Sequence, residues 1–345
     1  GLAGRVNLDV ALGDARVPTM VSLSYLRGSD SFVAAGAIKA LEPAWLARAL
    51  PAFAPLKGVT LPVTASGVGR FGLDGDVRSA TAYVRAQSGR VALPEYFPEP
   101  LAVREAALRL QFDPAAHALE ARGLRLALGT TARPGPTITG GARAVRDPDT
   151  GTIAITADAG VADLEANTLP RYWPPGIQEN GIARKWVTGN VRDGTLHRAE
   201  LTAALTLPGG DPSKVTLDRL DGTMRYSGMR VTYLPGLRPV RDVAGTATFD
   251  KSKLALDLAA GRLRGLRLHE GTVVVSGLDT TDQFLSIEVK TRGPLQDSLT
   301  PLAQPRVDLL SELGITPEQT SGTAEVSMAF DFPLLKDLPM EKVDL

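Results

Sequence analysis

Strict alternation of apolar and polar side chains constrains this chain more than any other feature. In AALRLQF, Leu108, Leu110 and Phe112 share one face, and Arg109 and Gln111 take the other. KLALDLA sends Leu254, Leu256 and Leu258 one way. FLSIEVK sets Leu285, Ile287 and Val289 against Ser286, Glu288 and Lys290, and AEVSMAFDF sets Val326, Met328, Phe330 and Phe332 against Glu325, Ser327 and Asp331. Successive strand side chains point to opposite faces, so each run is a strand with one apolar and one wet side. That is the pattern of antiparallel sheets.

Turn signals separate the runs: LDGD at 73–76, DPDTG at 147–151, RDG at 192–194 and LPGGDP at 207–212. Strands do not alternate with long helical segments, which argues against a parallel α/β fold. Helical spacing occurs in three short places. PAWLARAL places Trp45, Leu46, Ala49 and Leu50 on one stripe, and GIARKWV does so with Ile182, Ala183, Trp186 and Val187, leaving Arg184 and Lys185 outside. PRVDLLSELG repeats the spacing with Leu309, Leu310 and Leu313, between Pro305 and Gly314. Helices of two turns are unstable alone and must lie on apolar surface.

An internal repeat accompanies this order. GRVALPEYFPEPLAVREAALRLQFD (89–113) resembles GMRVTYLPGLRPVRDVAGTATFD (228–250): strand, proline-containing turn, then an alternating strand ending Phe-Asp. The expected organisation is 1–40 as end strands of a preceding repeat, 41–163 as a first helix-plus-meander repeat, 164–292 as a second, and 293–345 as the start of a third.

Composition removes several functions. Lys+Arg and Asp+Glu balance at 38 each, and no basic run suits nucleic acid. The absence of cysteine excludes disulfides, thiolate metal sites and thiol catalysis. No apolar run reaches the ~20 residues that span a bilayer. The N-terminus GLAGRVNLDVAL reads as a strand, not a signal peptide, and the chain reads as a piece of a longer protein.

Chemistry-bearing constellations are sparse. His117, His197 and His269 lie far apart in strand-like runs, where a histidine is far more often structural than catalytic or ligating. DPDTG lacks the rest of a calcium loop and suits a hairpin turn. SGVGRFG at 66–72 runs into a strand, so its glycines do not form a phosphate loop. Carboxylates are plentiful, but no pair stands out for glycoside hydrolysis. The expectation is a non-enzymatic protein with no cofactor, metal or catalytic residue.

Surface is what remains. About ten strands of ~6 residues, ~4.8 Å apart, present an apolar face on the order of 1,000 Å², against ~300–600 Å² for the largest patch on a typical monomer. A second sheet would seal that face into a sandwich core. A curved sheet would leave it open as a groove. Alternation fits both.

YLPGLRPVRDVAGTATFD (233–250) with GRLRGLRLHEGTVVVSGLD (261–279) resembles the AsmA-like superfamily, especially the central region of its YhdP-like members. So do RYWP…ARKWVTGNVRDG (171–194) and GPLQDSLTPLAQPRVDLLSELGITPEQTSGTAEVSMAFDFPLL (293–335), TamB-type proteins being more distant. The resemblance covers 164–335, and 41–163 through the repeat, as an ordered series of short motifs. Arg238 departs from it where a second proline-like turn residue is expected.

The resemblance implies a mainly β fold: a long curved antiparallel β-meander sheet built from repeats, with short amphipathic helices and an apolar concave face. It also implies a periplasmic protein, its parent anchored in the inner membrane, that conducts phospholipid to the outer membrane. Leu254, Leu256, Leu258, Leu285, Ile287, Val289, Val326, Met328 and Phe330 would then line a lipid groove. Trp45, Leu46, Ile182, Trp186, Leu309 and Leu313 would belong to rim or capping helices. The competing expectation is an envelope scaffold that binds other envelope proteins and encloses the same residues in a closed core.

Overall fold

The structure, a computed structural model, describes residues 1–175, 182–233, 238–300, 310 and 314–334. Its strands and helices are β1 (Leu2–Leu12), β2 (Ala15–Tyr25), β3 (Ser31–Leu41), α1 (Pro43–Ala49), β4 (Val59–Thr60), β5 (Val63–Gly72) and β6 (Val77–Ala86). There follow β7 (Gly89–Val91), β8 (Leu101–Asp113), β9 (Ala118–Gly129), β10 (Pro134–Arg146), β11 (Ile153–Glu165), α2 (Leu169–Tyr172) and α3 (Ile182–Asn190). The rest are β12 (Val191–Arg192), β13 (Thr195–Leu207), β14 (Thr216–Val231), β15 (Val240–Asp250), β16 (Lys253–Leu263), β17 (Leu266–Ser276), β18 (Phe284–Pro294), α4 (Leu295–Leu299) and β19 (Thr323–Pro333). The fold is mainly β with few short helices, and its strands belong to one hydrogen-bonded sheet. All four alternating runs are strands, and the four turn signals fall between strands.

Two compact units are present: Gly1–Asp163 with Arg171–Gly181 and Thr202–Arg219, and Leu164–Pro170 with Ile182–Leu201 and Leu220–Leu345. In the first, an antiparallel ladder runs β1–β2–β3–β5–β6–β8–β9–β10–β11. In the second, β14–β15–β16–β17–β18–β19 form a ladder of consecutive neighbours. Such local pairing suits short polar turns. At DPDTG the Asp147 carboxylate accepts the backbone N–H groups of Asp149 and Thr150, each at 2.9 Å. Those bonds hold it below the usual carboxylate range.

The repeated sequence segments adopt matching local structure. After α1, Val59 and Thr60 pair with Val91 and Arg90. After α3, Val191 and Arg192 pair with Val231 and Arg230. A second correspondence marks the approach to each helical segment. Ala40 and Asp163 take the left-handed conformation, at φ 53° and 59°, and each is followed by a buried leucine, Leu41 or Leu164, and a glutamate. Alanine is a poor left-handed residue, so packing around Leu41 must offset the local cost.

Among the described residues, each unit has a small buried cluster rather than a full core layer. In the first, Leu61, Ala86, Val103 and Leu128 pack with Val59, Val91, Ile138 and Tyr172 of α2. In the second, Ala166, Tyr226, Met229, Val243 and Ala247 pack with Val191, Leu196, Val231 and the β16 residues Leu254, Leu256 and Leu258. The clusters therefore gather the short strands and helical segments that follow the left-handed residues. On β16, β18 and β19 the apolar residues stay half-buried, so surface that a second layer would cover is left accessible.

Substitution should separate the clusters from the rest of the sheet. Leu128→Ala, at 2% exposure, is expected to lower unfolding free energy by about 2–5 kcal/mol. Leu23→Ala, at 51% exposure on β2, should change it by about 0.5 kcal/mol or less. Urea unfolding of the two variants checks this.

Candidate functional site

Register brings the nine strand residues singled out by alternation onto one face of β16, β18 and β19. Leu256 lies opposite Val273, Val273 opposite Ile287, and Ile287 opposite Phe330. Toward β14 the same row continues through Ala247 to Met224. A parallel row runs Tyr226, Gly245, Leu258, Gly271, Val289, Met328, and another Gly222, Phe249, Leu254, Val275, Leu285, Phe332. Val326 lies opposite Thr291, one step beyond Met328. Residues directly opposite one another share a face, so these are three apolar rows across six strands.

The reverse face is polar. Between the rows runs Arg225, Thr246, Asp257, Thr272, Glu288, Ala329. Its charges form local surface pairs, such as Lys290 Nζ with Glu270 at 2.9 Å. Solvent screening keeps such pairs weak.

All nine apolar residues are half-buried, and Leu254, Leu256 and Leu258 pack against the buried cluster around Val243. In the first unit, one side of β1 and β2 is more open. Val6 pairs with Val21 and Leu8 with Thr19, and Val6 is 58% exposed. Phe112 and Leu119, opposed across β8 and β9, are exposed as well. Farther along this unit, the row Gly36, Gly67, Ala82, Leu110, Ala121, Ala142, Ala157 is made mostly of small side chains.

The helices depart from expectation in one respect. Trp45 and Leu46 of α1 are half-buried, as a capping stripe requires. In α3, Trp186 is instead 47% exposed, while Arg184, expected to face outward, is half-buried and donates from Nη2 to the Pro170 carbonyl at 3.1 Å. Arginine can bury its aliphatic stem while its head finds a carbonyl, which reverses the side that packs. The Ile182 side chain, Leu309 and Leu313 lie outside the described residues. Leu310, between the latter two, is buried.

Among the described residues no three His, Asp or Glu side chains gather at metal-binding distance. His197 Nε2 lies 2.7 Å from Ser227 Oγ, in a shallow concavity with Arg225 and Thr246. His269 Nε2 lies 3.6 Å from Glu325. His117 is an exposed turn residue with φ 48°.

Tyr226 is the exception within the buried cluster. Its hydroxyl is buried and has no hydrogen-bond partner among the described residues. Burial, and secondarily the Asp257 carboxylate, push the phenol up to about 12. Because the folded value is raised, the stability linked to it is complete below the ordinary value of 10.0 and is lost as pH rises through about 12. Tyr226→Phe should therefore flatten the loss of stability across that interval. At neutral pH it should be neutral or stabilising by about 1 kcal/mol, since it removes an unpaired buried hydroxyl. Thermal melts of both proteins from pH 7 to 12 measure this.

A family model described as YhdP protein matches residues 63–343. No curated protein matches the chain, and no solved structure does.

Proposed function

Because the chain belongs to the YhdP family, an envelope protein of the AsmA-like kind, we propose that its apolar sheet face carries phospholipid acyl chains across the periplasm. The observation that supports this reading is the set of three rows of apolar residues and glycines across six strands, buried at Tyr226 and Ala247 and half-buried from β16 to β19. Six strands at ~4.8 Å give a track about 24 Å long. A leaflet's hydrocarbon is about 15 Å deep, half the ~30 Å core. One acyl chain therefore fits along the rows, perpendicular to the strands, with room to advance.

Transport on such a track is non-enzymatic: apolar contact lowers the cost of holding a chain out of the bilayer, and no bond changes. Leu254, Leu256, Leu258, Leu285, Ile287, Val289, Met328 and Phe330 form its floor, with Val326 at one margin. The occupant is phospholipid, moved from the inner to the outer membrane in support of outer-membrane biogenesis. Among the described residues no helix is long and apolar enough to cross a membrane.

A second reading, an envelope scaffold with a closed β core, draws on the buried clusters around Val103 and Val243. The two readings part at Leu256. Leu256→Asp should leave the fold intact and reduce phospholipid transfer between donor and acceptor vesicles at least about tenfold, the effect of ~1.4 kcal/mol. Photo-crosslinkers at positions 256 and 328 should label lipid in the wild-type chain. Loss of folding in Leu256→Asp, or crosslinks to protein alone, would favour the closed scaffold.

A further inference from the structure

On the polar face of the second unit, four arginines stand in line across four adjacent strands. Arg241 of β15 is opposite Arg262 of β16, Arg262 is opposite Arg267 of β17, and Arg267 is opposite Arg292 of β18. All four are exposed. Like charges directly opposite each other destabilise a sheet, and three such pairs follow in succession. Neutralisation within the chain is slight. Arg262 Nε approaches Asp242 at 3.6 Å, and Glu325 lies opposite Arg292 on β19 but pairs with His269 at 3.6 Å. The side chains of Arg241, Arg267 and Arg292 make no hydrogen bond or ion pair among the described residues. A fifth arginine, Arg264, sits at the tip of the β16–β17 hairpin.

The row lies near the strand ends, and at ~4.8 Å per strand it extends about 14 Å. Its geometry selects among anionic partners. An extended acidic peptide presents same-side carboxylates every ~6.8 Å, out of step with the row. A single enclosed anion needs a pocket, and this is an exposed sheet face. Headgroup phosphates of a fluid lipid surface have no fixed spacing and can each meet a guanidinium in a two-point contact. The chain's net charge is zero, so the attraction comes from this row and not from the protein's overall field.

We propose that the arginine row docks this unit onto an anionic, phosphate-bearing lipid surface. This goes beyond lipid carriage on the opposite face and does not require it. Near an anionic membrane each basic residue contributes about 1 kcal/mol, so loss of two should weaken binding roughly thirtyfold.

The test is co-sedimentation of the 345-residue chain with vesicles of phosphatidylcholine alone or mixed with phosphatidylglycerol, at low and high salt. The wild-type chain should bind the anionic vesicles, lose binding as salt rises, and bind neutral vesicles weakly. Arg267→Gln with Arg292→Gln should lose the anionic preference roughly thirtyfold while its thermal midpoint stays level or rises, because repulsion is removed. Arg241→Gln with Arg292→Gln, on strands that do not adjoin, serves as a second pair. Equal binding to neutral and anionic vesicles, or retention of the preference in both arginine pairs, overturns the proposal. Displacement by millimolar inorganic phosphate at constant ionic strength also overturns it, pointing to a small-anion site.

Discussion

Everything in this protein depends on a sheet that is apolar on one side and has little to set against it. A two-residue period fixes which side chains face together, and antiparallel registers carry that choice from strand to strand. Leu256, Val273, Ile287 and Phe330 become neighbours although they belong to four different strands. In a sandwich, such rows would meet a second sheet about 10 Å away. Here most of their contact is sideways, within the row, and burial stops halfway. The apolar face is thereby kept available, and stability has to be found elsewhere.

It is found in two small clusters, at Leu61–Ala86–Val103–Leu128 and at Ala166–Tyr226–Met229–Val243–Ala247. In each, a two-residue strand clips the chain back onto the sheet after a helix, through Val59 and Thr60 or Val191 and Arg192. The clusters hold the strands in register, while the apolar residues of β18 and β19 stay half-buried.

The strands, their faces and the turns were legible in the sequence because each is encoded within a few residues. The wet partners of Leu285, Ile287 and Val289 identify the face as surely as the apolar residues do. The helices at 43–49 and 182–190 were legible as elements, but α3's packed side was not. A helix of nine residues offers too few turns to distinguish a tryptophan stripe from an arginine stem, and Arg184 settles on the Pro170 carbonyl. Left-handed Ala40 carries no local signal at all, since alanine seldom adopts that conformation. The arginine row is invisible for a different reason: its members are scattered over four strands, and only the registers assemble them.

The half-buried rows also bear on how such a sequence can drift. In a close-packed core, removing a methylene leaves a void and adding one forces strain. At Val289 or Met328 neither penalty applies in full, because each is only half-buried. Apolar residues there are interchangeable over generations, and identity along the strands is free to decay. What must persist are the places where the backbone has a single solution: the clip strands, the left-handed residue before a buried leucine, and the aspartate-capped turns. Kinship among chains built this way is written in their punctuation, and the long strands between the marks are free to be rewritten.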